Sequence, residues 1–179
     1  MLDRGKLAVL TMFAVALAAA TFAWWWNYSR GQKCLDFYGK DAALLVRTAD
    51  QVELLELAPE NESDAGRAVD RLVIDGRTYV VLRATDISQA KGLIHARTSI
   101  LDDTSFDWQD AFIDCRPEFL YAVRFTGDSR ATLAFDFSCQ TVWHVEQGKA
   151  VVLIPKVAQG WESFLTRKAK EQNGNTNQH

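Results

Sequence analysis

The stretch "LYAVRFTGDSRATLAFDFSCQTVWHVE", residues 120–146, decides the fold that this sequence predicts. Apolar and other side chains alternate over 120–126 and again over 131–146, which is the period of a strand with one buried face. The intervening Gly-Asp-Ser, residues 127–129, predicts a turn. Because no Gly, Pro or Asn interrupts 131–146, this run predicts one long strand, bent or bulged near Cys139.

Further strands are predicted on both sides of this stretch. In "RLVIDGRTYVVLRA", residues 71–84, two β-branched and aromatic runs flank Asp75-Gly76, which is a strong signal for a hairpin with a type I′ turn. Residues 51–57 also predict a strand, and residues 150–154 predict the last strand of a three-strand meander. Pro155 ends that last strand, because proline has no N–H to donate.

Three helices accompany these strands. Residues 41–48 predict a short one, and apolar spacing predicts a second from Asp86, as its N-cap, to about Asp102. Arg97 lies within this apolar stripe. Either its aliphatic stem packs over the core with the guanidinium in water, or the guanidinium forms a buried ion pair or binds a ligand carboxylate. The last helix carries Trp161, Phe164 and Leu165. The pattern predicts an α+β fold: one antiparallel-sheet domain, residues 41–171, with helices packed on one face.

Residues 7–26, "LAVLTMFAVALAAATFAWWW", contain no charged residue, proline or glycine and follow a short basic tail, residues 1–6. About 20 apolar residues cross a hydrocarbon core of about 30 Å, so this segment predicts a transmembrane helix. A signal peptide cleaved after Ala20 or Ala23 is the alternative. Residues 27–40 are predicted to be a connector. The aromatic residues expected at one membrane interface are Trp24, Trp25, Trp26 and Tyr28.

The charges on the two sides of this helix favour opposite orientations in the membrane. Arg4 and Lys6 precede it, which favours a cytoplasmic N-terminus, whereas Arg30, Lys33 and Lys40 follow it and oppose that orientation. The short basic tail and the likeness to an export signal favour a soluble domain on the extracytoplasmic side.

The rest of the chain, residues 27–179, has 153 residues, enough for one domain with a core. The whole chain carries a net charge of −3, and Asp3, Arg4 and Lys6 contribute +1 of it, so the remainder carries −4. A mildly acidic domain lacks the basic surface of a nucleic-acid-binding protein. Residues 172–179 are polar and predict a disordered tail.

Cys115 and Cys139 are a candidate disulfide. If the strands on either side of Gly127 pair, Pro117 or Phe119 lies opposite Cys139, which brings Cys115 diagonally within reach of it. The bridge requires an oxidising compartment; in a reducing cytosol both cysteines would be small buried hydrophobic residues.

Cys34 is the third cysteine and lies in the predicted connector. With the other two paired, it has no partner within its own chain. Two alternatives stay open: a free or buried thiol, or a disulfide-linked homodimer through Cys34 of two chains held in the same membrane.

The residues Cys115-Arg116-Pro117 and Phe137-Ser138-Cys139 resemble a pattern in uncharacterised small exported or membrane-anchored bacterial proteins. The similarity covers roughly the last third of the domain. In that pattern basic residues follow the proline, where this chain has Glu118 and Phe119. The resemblance implies export and no particular activity.

An enzyme would need a nucleophile, a base and a residue that orients the base. Ser138, His144, Asp136 and Glu146 all lie on the predicted polar face of the long strand, which is also what an ordinary solvated face looks like. The sequence has no phosphate- or dinucleotide-binding motif, no nucleophile elbow and no pair of metal ligands at a suitable spacing. We therefore assign no catalytic residue, no metal and no cofactor.

The function that these features favour is a non-catalytic interaction or assembly module, held in membrane lipid by residues 7–26 and acting through a protein partner on the outer face. The alternative is a membrane-tethered, hydrolase-like enzyme that uses the polar face around His144. A contiguous apolar patch on the domain would favour the first function. A deep pocket with His144 beside a perturbed carboxylate would favour the second.

Overall fold

The structure, a computed structural model, describes residues 4–29, 32–60, 69–108 and 115–176. An apolar N-terminal helix precedes one domain, in which an eight-stranded antiparallel sheet carries helices on one face. The predicted α+β fold class is confirmed.

Helices both precede and follow the strands of the sheet. The helices are α1 (Arg4–Ser29), α2 (Gln32–Tyr38), α3 (Lys40–Thr48), α4 (Leu93–Ile100) and α5 (Pro155–Thr176). The strands are β1 (Gln51–Pro59), β2 (Asp70–Ile74), β3 (Arg77–Asp86), β4 (Phe106–Asp107), β5 (Tyr121–Thr126), β6 (Arg130–Asp136), β7 (Thr141–His144) and β8 (Lys149–Leu153). A 3-10 turn, Asp103–Ser105, leads directly into β4.

The strand order in the sheet is β2-β3-β1-β5-β6-β7-β8-β4, so β1 joins the predicted hairpin to the predicted meander. The hairpin turns through Asp75 and Gly76, whose φ angles of 51° and 70° are those that a type I′ turn requires. The register of β1 against β3 shifts between Glu56 and Leu57, where Leu82 is an extra residue on β3. Such a bulge increases the local twist of the sheet.

The helix-covered face of the sheet holds the larger core, here called the helix-side core. Trp161 of α5 stacks on Phe135 of β6 with ring centroids 4.8 Å apart, and Phe164 meets Trp161 edge-on. Their burial confirms the predicted apolar stripe of the last helix. The strand residues of this core are Val52, Leu54, Phe106, Val123, Phe125, Ala131, Leu133, Phe135, Val142, Val151 and Leu153.

The opposite face of the sheet is concave. Arg124 of β5 reaches Asp70 of β2 at 2.6 Å although β3 and β1 lie between their strands. In a flat sheet three strand spacings would separate the backbones of β5 and β2 by about 14 Å, so the sheet curls to bring these two side chains together. Phe119 fills the curl, between Tyr79 of β3 and Trp143 of β7. The buried residues of this concave core are Leu55, Leu57, Leu72, Ile74, Tyr79, Val81, Phe119, Ala122 and Ala134.

Residues 131–146, predicted as one long strand, form a hairpin instead. β6 ends at Asp136, and the turn into β7 contains Gln140 with a φ of 52°. Positive φ is uncommon for residues other than Gly, Asn and Asp, so the sequence carries no ordinary turn signal here. The hairpin inverts the predicted alternation, because His144 pairs with Leu133 and shares its face of the sheet.

The second helix is shorter than predicted and begins later. β3 extends to Asp86, whose carboxylate accepts hydrogen bonds from the N–H and the hydroxyl of Ser88 instead of capping a helix. α4 begins at Leu93 after Gly92, which has a φ of 97°. The chain therefore turns between strand and helix at a position where glycine permits a left-handed conformation.

Two segments predicted to lack regular structure are helical. Residues 32–38 of the predicted connector form α2, and its buried Phe37 and Tyr38 belong to the helix-side core. The folded domain therefore includes α2 and does not begin at residue 41. α5 covers residues 172–176 of the predicted disordered tail, and residues 177–179 lie outside the described residues.

Arg97 has neither of its predicted roles. Its guanidinium donates to the carbonyl oxygens of Ala49, at 2.6 Å, and Arg47, at 3.4 Å, and lies 5.7 Å from the centroid of the Phe125 ring. Burial lowers the pKa of Arg97, while the nearby Asp50 raises it. The last carbonyls of a helix lack N–H partners within the helix, so Arg97 of α4 caps the C-terminal end of α3.

We predict that Arg97→Met destabilises the domain by about 1–2 kcal/mol, because two carbonyls at the end of α3 lose their donor and the Phe125 ring loses the guanidinium beside it. Denaturant unfolding of the full-length protein in detergent measures this loss. His95→Met, on the exposed side of α4, is the matched control and should change stability by less than about 0.5 kcal/mol. Equal unfolding midpoints for Arg97→Met and the wild type would contradict the capping role.

Candidate functional site

The four polar residues that the sequence suggests for catalysis do not form one row. Asp136 and His144 lie on opposite faces of the sheet, because His144 pairs with Leu133 and strand side chains alternate. Ser138 lies in the turn after β6, and Glu146 lies beyond the end of β7. The Ser138 hydroxyl donates to Asp136, and no hydrogen bond among the described residues joins it to the His144 imidazole, so the pair of nucleophile and imidazole that the enzyme alternative requires is not formed.

Asp136 holds together the two segments that the disulfide joins. Cys115 and Cys139 form the predicted bridge, with Cα atoms 5.8 Å apart. The buried Asp136 carboxylate accepts hydrogen bonds from the N–H groups of Glu118 and Cys139, and from the N–H and hydroxyl of Ser138. These bonds give Asp136 a structural role, because they fix the segment before β5 over the concave core.

His144 is buried beneath α2, with a relative exposure of 1%. The rings of Phe37 and Tyr38 lie 6.2 and 5.8 Å from its ring centroid. Neither ring nitrogen has a hydrogen-bond partner among the described residues. A Glu146 carboxylate oxygen lies 3.7 Å from Nε2, but it accepts a hydrogen bond from the N–H of Thr132. An unpartnered buried polar group costs about 1–3 kcal/mol, so this site is uncommon.

The protonation of His144 is governed mainly by its burial. Burial lowers the pKa of His144, Glu146 raises it, and Lys149 lowers it. The Lys149 ammonium group donates to the carbonyl oxygen of Asp36 in α2 at 2.9 Å, so this cation is fixed beside the same helix. The imidazole is therefore neutral at pH 7 and packs as an aromatic ring.

The start of α2 is capped by a distant part of the chain. The Asp103 carboxylate accepts hydrogen bonds from the N–H groups of Cys34, at 2.8 Å, and Lys33, at 3.4 Å. The first turn of a helix leaves such N–H groups without partners. Near the other end of α2, the Tyr38 hydroxyl donates to the carbonyl oxygen of Ile100. Both ends of α2 are thus attached to the domain.

Cys34 lies on the buried side of α2 and is a free thiol with a relative exposure of 2%. Burial raises the pKa of this thiol, and Asp103 raises it further. The sulfur therefore stays protonated and unreactive. Of the two predicted alternatives, the structure favours the buried thiol, because a disulfide to a second chain would require α2 to leave the domain.

The residues predicted for the membrane interface lie near the C-terminal end of α1. Trp24, Trp25 and Trp26 are exposed, and Tyr28 belongs to the last turn of the helix. The span Ala8–Trp26 has 19 residues, a mean hydropathy of 1.8 and no buried residue. The chain thus has an N-terminal helix long and apolar enough to cross a membrane.

A groove opens between α3 and the turn that joins β5 to β6. Its volume is about 720 Å³. Gly127 of the turn passes so close to α3 that a Cβ there would lie 2.8 Å from Cδ1 of Leu45. Among the side chains that line the groove are Asp41, Leu44, Thr48, Asp50 and Asp128.

The sequence gives only a weak signal for this groove. Leu44 counts toward the apolar side of the predicted helix over 41–48, yet 61% of it is exposed. Leu44, Leu45 and Val46 follow one another, and three consecutive side chains of a helix cannot all face one core. Asp128 lies close to α3 only through the tertiary fold, which no local sequence pattern encodes.

We predict that His144 makes the domain lose stability below about pH 6.5. A lowered pKa in the folded state means that the unfolded chain binds the proton more tightly. The stability that depends on a neutral His144 is therefore fully present above the unfolded pKa of about 6.5. It is lost as the pH falls through the lower pKa of the folded state. His144→Phe should remove this part of the pH dependence, as measured by denaturant unfolding between about pH 7.5 and 5.

His95→Phe, at an exposed position on α4, is the matched control and should keep the wild-type pH dependence. A stability difference between wild type and His144→Phe that stays constant over this range would show that His144 does not titrate as its burial requires.

Comparison with protein-family models, with curated proteins and with solved structures gives no match to this chain. What the groove can bind therefore follows from its own residues. Asp41, Asp50 and Asp128 line it together with the exposed Leu44, and none of the Lys and Arg side chains in the described part of the chain lines it. No group of three or more His, Cys, Asp or Glu in the described ranges is placed to hold a metal ion. The groove suits a ligand that combines positive charge with an apolar group.

Proposed function

We propose that this protein is a single-pass membrane-anchored interaction module whose soluble domain lies on the extracytoplasmic side. The observation that supports the proposal most is the exposed span Ala8–Trp26. A length of 19 residues at about 1.5 Å each matches a hydrocarbon core of about 30 Å. Left in water, these side chains would form an apolar surface far larger than a soluble monomer exposes.

The extracytoplasmic side is supported by the disulfide. Cys115 and Cys139 are joined in the structure, and such bridges persist in oxidising compartments. The positive charges of Arg4 and Lys6 before α1 favour a cytoplasmic N-terminus. Both observations agree with a domain held outside.

Interaction is favoured over catalysis by the chemistry of the domain. The buried His144 has no hydrogen bond to a nucleophile in the described part of the chain, and the Asp136 carboxylate is occupied by hydrogen bonds that hold a turn. The groove beside α3, in contrast, exposes carboxylates and Leu44 to a ligand. A module that binds a partner uses such a surface directly.

The proposal predicts that membranes of cells expressing the full-length protein retain it through an alkaline carbonate wash. Protease added from the extracytoplasmic side should digest the domain without lysis. After unfolding, a maleimide reagent should label one thiol per chain, that of Cys34, and all three after reduction. Cys115→Ser/Cys139→Ser should give one label under both conditions.

A charged span is the matched control for anchoring. Ala16→Arg/Leu17→Arg places two cations at the membrane centre, each costing about 2.5–3.5 kcal/mol, and should abolish retention, whereas Ala16→Val/Leu17→Ile should preserve it. A wild-type domain that resists protease in intact cells and carries three free thiols would overturn the extracytoplasmic placement. Release of the wild type by carbonate would overturn the anchor.

A further inference from the structure

We propose that the surface around the end of α3 binds a basic segment of a partner protein that inserts apolar side chains beside Leu44 and Ile94. This inference rests on the proposed function of an interaction module and adds the chemistry of the partner. The surface, here called the α3 docking surface, consists of the groove beside α3 and a second, adjoining groove.

The two grooves meet at the connection between α3 and β1. The second groove has a volume of about 300 Å³ and lies between this connection and α4. Thr48, Ala49 and Asp50 line both grooves, so the two form one continuous surface. Two adjoining grooves suit an extended or helical segment of a partner more than a single small molecule.

Two exposed apolar side chains supply the contacts that such a segment can bury. Leu44 is 61% exposed and lines the first groove, and Ile94 is 78% exposed and lines the second. Single exposed apolar residues are ordinary on a protein surface. These two differ because each lies at the edge of a concavity in which an inserted side chain can be enclosed.

The charges of the first groove select a basic occupant. Asp41 and Asp128 line the first groove, and neither has an ion-pair partner among the described residues. Asp50 adds a third carboxylate at the junction of the two grooves. The second groove is lined by Arg47 and Arg97, and the Arg97 guanidinium donates to the end of α3, so the carboxylates that face a partner without a basic neighbour in the lining are those of the first groove. Lys and Arg of a partner would therefore meet complementary charge.

Other occupants fit these charges less well. An anionic lipid headgroup would be repelled by the three carboxylates of the first groove. A second copy of this chain brings a domain that is itself acidic, with −4 on residues 27–179. Basic segments of a different protein remain the occupant that the charge pattern favours.

The binding test uses the full-length protein in neutral detergent and a short fluorescein-labelled peptide of alternating leucine and lysine. Fluorescence anisotropy should show binding that weakens as ionic strength rises from about 0.05 to 0.5 M. A peptide with glutamate in place of each lysine should bind at least about tenfold more weakly.

Matched variants locate the binding on the surface. Asp41→Asn/Asp128→Asn should weaken binding of the lysine peptide about fivefold, whereas Glu118→Gln/Glu162→Gln makes the same charge change at exposed positions elsewhere and should leave it unchanged. Leu44→Ser and Ile94→Ser should each weaken binding, and Leu120→Ser, at another exposed leucine, should not.

Three results would overturn the inference. The first is no binding of the lysine peptide, and the second is an equal loss of affinity in the groove variants and their controls. The third is a dimer in sedimentation that Leu44→Ser/Ile94→Ser dissolves, since it would make a second copy the occupant. Failure of the anchor or of its orientation is recognised separately, because peptide binding does not depend on where the domain is held.

Discussion

The structure depends on one constraint: a single sheet with apolar side chains on both faces must remove both from water. The helices cover one face, where Trp161 stacks on Phe135. The sheet covers the other by curling until Arg124 and Asp70 meet across two intervening strands. Phe119 closes that curl, and the segment that carries it is fixed by the disulfide and by hydrogen bonds to Asp136. The bridge thus stabilises the concave core.

α2 is the first element of the domain after the apolar helix α1. It follows α1 after residues 30–31 and is attached by Asp103 at its start and by the contact from Tyr38 to Ile100 near its end. Between these attachments it buries His144 without giving it a hydrogen bond. The imidazole, which has no hydrogen-bond partner among the described residues, lies beneath the helix that follows the apolar span, so its burial and the attachment of α2 are physically linked.

The strong local signals predicted much of the fold. Asp75-Gly76 gave the hairpin, because a type I′ turn needs residues that tolerate positive φ, and the spacing of Trp161, Phe164 and Leu165 gave the last helix. Turns without such residues were missed: Gln140 takes positive φ inside what looked like one strand. That single turn also moved His144 from the predicted polar face into the helix-side core.

The candidate site was less predictable than the fold. The cysteine pair followed from strand register, which is a local relation once the turn at Gly127 is recognised. Helical spacing of Cys34, Phe37 and Tyr38 was present in the predicted connector but is too short a pattern to identify a helix by itself. The α3 docking surface combines residues from distant parts of the chain. The periodicity of a sequence carries no information about such long-range contacts.

The most direct test of the central claim is the intact mass of the protein purified from membranes without reduction. A retained anchor with a single disulfide predicts the full chain of 179 residues, about 20.1 kDa, recovered in the membrane fraction. A shorter soluble species that begins at Thr21 or Trp24 would contradict it. In that case α1 would be a removed export signal, and the domain would act free of the membrane.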